Sequence, residues 1–349
     1  VLVLGDGDGM GNYVNGSNLK FYQDYIIEDL VNREGIDEKT WKSLQETRKR
    51  MGPATHVGLN RALLDFSNRI VNYITEERCC GKVIYSGGDD VMAALPLADL
   101  PRYLISLRSA WCGGIDPESE FNSSGGYWQW NIENPNQTPR PNDIPLRPLF
   151  TMGEEATMSL GVVIAHKSVP LPTVLEKIWD AEKERAKKLI GGKISEDESI
   201  PDKDGLCFRV IYGSGNTLEA LMKGHLLQGW WNFINESQKY ENFDLSPVLY
   251  RLAEELPRRA EITESDELFQ KVAEVVLYSR DIELPEPVRN SLLNWINEWE
   301  KWAWVAMNEA RRRETELDKK DKVKVLGGRP EDMATLLKFT AFWISKNQW

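Results

Sequence analysis

The chain reads as an α+β protein: a ferredoxin-like core of strands and helices followed by an α-helical domain. Three observations carry that reading. Short β-branched runs bounded by glycine-rich turns alternate with helix-patterned stretches over residues 1–215. From about residue 216 the pattern turns helical and dense in tryptophan. At 349 residues the chain is long enough for two ordinary domains. The expected boundaries are 1–215, with an insertion at about 113–150, and 216–349.

Element by element, Val1 to Leu4 is an apolar run ending in glycines, which predicts a buried strand. Residues 19–50 are polar and partly helical in pattern. Leu59, Leu63, Phe66 and Ile70 recur at helical spacing. Lys82–Tyr85 and Val91–Leu95 flank Ser86-Gly87-Gly88-Asp89-Asp90, the signature of a hairpin. A second helix is expected over Leu97–Ala110. Glycines 113, 114, 125 and 126 and prolines 135, 139, 141, 145 and 148 make 113–150 read as a long excursion without an element of its own. Then come a strand over Thr157–His166, a charged helix over Val174–Ile190 and a strand over Leu206–Tyr212. The order β-α-β-β-α-β-α-β is close to a ferredoxin-like core with an added strand pair. Beyond Gly213-Ser214-Gly215 lie Trp230, Trp231, Trp295, Trp299, Trp302, Trp304, Trp343 and Trp349. Trp295, Trp299 and Trp302 fall on one helix face, which predicts packing in preference to a base-stacking platform.

Composition excludes several classes. The net charge of −11 argues against a chain that coats nucleic acid by neutralising phosphates, though it leaves room for a local basic groove. No run approaches 18 apolar residues, so no membrane span is expected. Cys79, Cys80, Cys112 and Cys207 lack zinc-site spacing and read as reduced thiols of a cytoplasmic protein. No His-Asp dipeptide occurs, so a nuclease site of the HD type is not expected. A sequence that opens on Val1 inside an apparent strand looks excised from a longer one.

The chemistry-bearing residues come in two groups. The first strand runs into Gly5-Asp6-Gly7-Asp8-Gly9-Met10-Gly11. Two carboxylates two residues apart, with the Gly7 carbonyl between them, can bind a hard cation, and the glycines allow close approach to a phosphate. An EF-hand loop fails, because its twelfth position would be Ser17 in place of a glutamate. The second group, Asp89-Asp90 at the hairpin tip, is costly unless a cation or donors offset it. Since the first strand and the hairpin are neighbours in a βαββ unit, Asp6, Asp8, Asp89 and Asp90 are expected to converge, as two-metal phosphoryl or nucleotidyl transfer requires.

This pair of motifs resembles the palm domains of polymerases and nucleotidyl cyclases. Taken with the Leu59–Ser67 helix, Ile84–Val91 and Ser159–His166, it is most similar to the large palm subunit of type III CRISPR effector complexes. Ile164-Ala165-His166 followed by Val169-Pro170-Leu171-Pro172 resembles the III-B (Cmr) lineage, with this chain corresponding to the second palm and the last helical domain. The resemblance implies an enzyme that makes cyclic oligoadenylates from ATP when the complex captures target RNA. It implies two Mg²⁺ or Mn²⁺ ions on Asp6, Asp8, Asp89 and Asp90 with the Gly7 carbonyl, Asp6, Asp89 and Asp90 being catalytic. It further implies phosphate contacts at Gly9, Met10 and Gly11, nucleotide contacts at Asn60, Ser67, Ser86, Gly87 and Gly88, and a phosphate-binding lysine at Lys187 or Lys188. The implied partners are other subunits of the complex, CRISPR RNA, target RNA and a second palm. A catalytically inert nucleotide-binding scaffold and a GTP-using diguanylate-cyclase relative are the alternatives.

Overall fold

The computed structural model describes residues 1–26, 37–123, 126–133, 139–196, 198–240, 244–262, 268–278, 284–316, 323 and 325–346. Gly125, Pro135 and Trp349, invoked above, lie outside the described residues. The chain begins with β1 (Leu2–Gly7), α1 (Met10–Asn15), α2 (Glu38–Gln45) and α3 (Pro53–Asp65), whose helical turns continue to Arg78. There follow the hairpin β2 (Lys82–Gly87) and β3 (Asp90–Ala94), then α4 (Leu100–Cys112). A small sheet of β4 (Phe121–Ser123), β5 (Tyr127–Trp130) and β6 (Leu149–Phe150) precedes β7 (Met158–Ala165). Next is α5 (Leu171–Asp180), continued by tighter and wider turns to Lys188, then the short pair β8 (Gly192–Lys193) and β9 (Ser199–Ile200). The hairpin β10 (Gly205–Ile211) and β11 (Thr217–Lys223) completes the strands among the described residues. Five helices follow: α6 (Leu226–Gln238), α7 (Ser246–Arg259), α8 (Leu268–Tyr278), α9 (Glu286–Glu316) and α10 (Pro330–Lys346).

The main sheet has the order β11-β10-β7-β1-β3-β2, with β7 and β10 parallel and every other neighbour antiparallel. Its β7-β1-β3-β2 part is the ferredoxin-like core, and β10-β11 is the added pair. Alternation along β1 assigns its faces. Val3 joins the core beneath α3 and α4, whereas Leu4 packs with Met92, Val163, Val174 and Ile178 beneath α5. Asp6, two residues after Leu4, emerges on the α5 side.

Two expectations are corrected. Thr217–Lys223, assigned to the helical domain, is the edge strand β11, paired with β10 from Gly205↔Lys223 to Ile211↔Thr217. Its Leu-Glu-Ala-Leu-Met composition favours a helix, but a turn with Gly215 at φ 86° returns the chain along β10, and pairing with a buried strand overrides the local preference. The excursion 113–150 contains β4, β5 and β6, whose alternate residues Phe121, Trp128 and Trp130 are buried. Strands this short give no run long enough to stand out among glycines and prolines. The segment is pinned by Arg78, which holds Asp116 in a two-pronged pair (2.8 and 2.9 Å) and Glu120 at 2.6 Å, and by Asp65, which accepts Arg147 at 2.6 and 2.8 Å.

The tryptophans pack, as expected. Trp230, Trp295, Trp299, Trp302 and Trp343 are buried, and the Trp302 indole donates to the Ile190 carbonyl at 2.9 Å, joining α9 to the sheet domain. The four cysteines are free thiols, Cys79 and Cys207 being buried. Among the described residues no helix is long and apolar enough to cross a membrane.

Candidate active site

The register Gly5↔Val91 between β1 and β3, extended by one pair, sets Asp6 opposite Asp90, and Gly87↔Asp90 closes the neighbouring hairpin. Gly88, at φ 64°, supplies the left-handed residue that lets this two-residue turn close. Burial, a hydrogen bond with Asp6 and the charges of Asp6 and Asp89 push the Asp90 carboxyl up to about 6. Asp89 is raised as well, by burial and then by the charge of Asp6. Asp6, Asp89 and Asp90 therefore form one acidic cluster at the end of the sheet. Opposed to it is Lys187, whose ammonium lies 2.5 Å from Asp6 Oδ2 and 2.8 Å from Glu182 Oε1. Burial lowers the Lys187 pKa, but its two carboxylate partners outweigh burial and the net shift is upward.

Gly7 is required by packing. A Cβ there would overlap the Trp111 ring and come within 2.9 Å of the Asp89 Cβ. The absence of a side chain at 7 thus lets the hairpin tip close against the end of β1. Trp111 is held in turn by donating to the Thr157 carbonyl at 2.9 Å.

Asp8 does not join the other three carboxylates. It is 8% exposed, and its carboxylate accepts Ser159 Oγ at 2.9 and 3.1 Å, Thr157 Oγ1 at 2.9 Å and the Asp204 amide at 3.0 Å. After Gly7 the strand ends and Gly9 turns the chain at φ 72°; the Asp8 side chain is held by Ser159, Thr157 and Asp204, whereas Asp6 is hydrogen-bonded to Asp90. The expectation of Asp8 as a cluster member is corrected on that ground.

The remaining residues divide. Gly9 caps α1, so the amides of Met10 and Gly11 belong to a first helical turn that makes no internal bonds. Ser86 is bound to the 60–70 helix, its hydroxyl donating to the Ser67 carbonyl at 2.9 Å. Ser67 itself is 2% exposed with its hydroxyl beside Asn68, so the expected Ser67 contact to nucleotide is not open. Asn60 is exposed two turns earlier, and Lys188 is exposed next to Lys187. Of the two lysines only Lys187 reaches the acidic cluster among the described contacts.

Glu182 is a site residue that sequence reasoning missed. Five residues apart on a regular α-helix, Glu182 and Lys187 would diverge by about 140°. The wide π-type turn at Ala181–Arg185 and the tight turn at Ala186–Lys188 bring both to one side. Nothing in the charge pattern announces that irregularity.

The donor set fits a hard divalent cation, with a limit. Asp6, Asp89 and Asp90 offer only carboxylate oxygens, the donors a hard divalent cation takes; burial first, then the neighbouring Asp6 and Asp89, raises the Asp90 pKa, and Lys187 is the positive charge beside them. Among the described residues no group of three or more His, Cys, Asp or Glu side chains is drawn together tightly enough to ligate an ion as it stands.

Residues 1–135 match the family model described as Cas10/Cmr2, second palm domain. The CRISPR system Cmr subunit Cmr2 of Pyrococcus furiosus is 25% identical over 232 residues, 66% of this chain and 20% of that relative. A cryo-EM structure of type III-B Cmr-beta in the apo state gives a TM-score of 0.53 at 16% identity, covering 82% of this chain and 35% of the other. Type III-B Cmr-beta bound to cognate target RNA gives 0.54 at 14%, covering 86% and 39%. Likeness at these identities is one of fold, and this chain spans well under half the length of each relative.

Proposed function

We propose, from the match of residues 1–135 to the Cas10/Cmr2 second palm domain, that the chain is the nucleotidyl-transferring part of a type III-B CRISPR effector complex, making cyclic oligoadenylates from ATP. The observation that supports this most is the meeting of Asp6, Asp89 and Asp90 at one sheet end with Lys187 beside them. Asp6, Asp89 and Asp90 would hold Mg²⁺ or Mn²⁺, which supplies charge neutralisation for a triphosphate and a lowered pKa for an attacking ribose hydroxyl. The chain's own residues do the rest. Lys187 is poised to exchange its carboxylate partners for a phosphate, keeping one positive charge at the site. The backbone of Gly9–Gly11 offers amides at the head of α1 on the same loop as Asp6. The Gly7–Trp111 contact holds the two acidic motifs in register. The partners in this reading are the other subunits of the complex, CRISPR RNA, target RNA and a second palm that completes the site.

The test uses the assembled complex with ATP, Mg²⁺ and target RNA. Asp89→Ala with Asp90→Ala is expected to reduce cyclic products at least 100-fold. Unchanged product would end the proposal. Competition between ATP and GTP separates it from a GTP-using cyclase. The Lys187–Asp6 pair is also what an inert scaffold palm would use to neutralise its own carboxylates, and that reading predicts nucleotide retention without turnover in the wild-type complex.

A further inference from the structure

We infer that Asp8 is a positioning residue: its carboxylate fixes the Asp6–Gly11 loop to the sheet and takes no part in holding metal. The inference deepens the nucleotidyl-transfer reading and rests on it for the loop's purpose, but its geometry stands independently. The Asp8 carboxylate accepts from three donors of the protein: the Thr157 hydroxyl and the Asp204 backbone amide on Oδ2, and the Ser159 hydroxyl, which lies within reach of both oxygens. A buried carboxylate with three such donors is at rest where it is, and turning it toward a metal would leave Ser159, which is fully buried, and the Asp204 amide without their acceptor.

The donors are themselves fixed, as a clamp requires. Lys203 and Asp204 hold left-handed backbone conformations (φ 61° and 44°), an arrangement non-glycine residues adopt only at a cost, and it is Asp204 that turns its amide onto Asp8. The Asp204 side chain is anchored by Arg108 of α4 at 2.7 Å, and Arg108 also donates to the Met158 carbonyl at 2.9 Å. The Asp204 carbonyl accepts the Gly224 amide at 2.7 Å, and Lys223 donates to the carbonyls of Pro201 and Lys203. Backbone pairing reinforces the side chain, the Asp8 amide donating to the Thr157 carbonyl at 2.9 Å. Asp8 is thus the point where β1, β7 and the approach to β10 are locked, two residues from Asp6 and one from Gly9.

The experiment compares Asp8→Asn, Thr157→Val and Asp6→Asn in the full chain, reading Mn²⁺ affinity by titration and hydrogen exchange of the Gly7–Asn12 amides without metal. Asp8→Asn keeps the shape but sets an amide donor against donors, and Thr157→Val removes one donor without touching the loop. The expected result is exchange at least 10-fold faster over Gly7–Asn12 in both clamp variants, with Mn²⁺ affinity within threefold of wild type. Asp6→Asn should do the reverse, losing Mn²⁺ affinity with exchange little changed. If Asp8→Asn weakens Mn²⁺ as much as Asp6→Asn does while loop exchange stays at the wild-type rate, Asp8 is a ligand and the inference is overturned. Failure of the wild-type chain to bind Mn²⁺ counts against the proposed reaction alone, since the exchange measurement still decides whether Asp8 clamps the loop.

Discussion

Asp90 is the residue at which the fold carries a cost that function would recover. Its folded pKa of about 6 lies above the ordinary aspartate value of 3.8, so the folded protein holds this proton more tightly than the unfolded chain. Stability from this group is complete below about pH 4 and is lost as pH rises from there through 6. By the linkage relation the loss is about 3 kcal/mol at most, and partial solvent exposure of the cluster reduces it to about 1–2 kcal/mol. Asp90→Asn is therefore expected to raise metal-free stability at pH 8 by about 1–2 kcal/mol and to flatten the pH 4–6 slope, measured by urea unfolding in chelator. A variant less stable than wild type at pH 8 would contradict the crowding of Asp6, Asp89 and Asp90. The sequence made these three legible because strand order and hairpin together bring them to one edge. It groups Asp8 with them because Asp6 and Asp8 look equivalent in a Gly-Asp-Gly-Asp-Gly string. The donors that separate them, Ser159, Thr157 and Asp204, lie some 150 to 200 residues away and carry no local signal.

At the scale of elements, the sheet core was readable wherever periodicity ran long enough. The helix through Leu59 and Leu63, the β2–β3 hairpin, β7 and β10 all fall where the sequence places them. What escaped was set by tertiary partners: β11 by its pairing with β10, the wide turns near Ser67 and Glu182, and the small sheet β4-β5-β6. That last element depends on one side chain. Arg78, 5% exposed, bridges Asp116, Glu120 and Ser106, and Asp116 accepts the amides of Glu120 and Phe121 where β4 begins. Arg78→Met leaves the Asp116 carboxylate buried without its cation, a loss of about 3–5 kcal/mol. The expected outcome is a lower urea midpoint, together with early proteolysis between residues 113 and 150. Cleavage elsewhere first would show that the small sheet stands without this arginine.

For the whole molecule, the helical domain and the palm are physically one body. A single hydrophobic core runs from Val3 and Trp111 through Phe208 to Trp230, Phe339 and Trp343, with Phe208 and Phe339 stacked at 4.5 Å. The helix α9 grips the stretch that leads into Asp204: Trp302 binds the Ile190 carbonyl and Arg313 pairs with Asp202 at 2.8 Å. Because Asp204 in turn donates to Asp8, the placement of the acidic loop depends on helices far along the chain. Trp302→Ala removes a fully buried indole, a loss of about 3–5 kcal/mol. With one shared core, the wild type is expected to unfold in a single transition, and the variant to lower that transition as a unit while speeding hydrogen exchange at Gly7–Asn12. A calorimetric trace in which a helical-domain peak moves alone, leaving a palm peak and the loop amides where they were, would show that the acidic site is assembled without help from the helices that hold its far side.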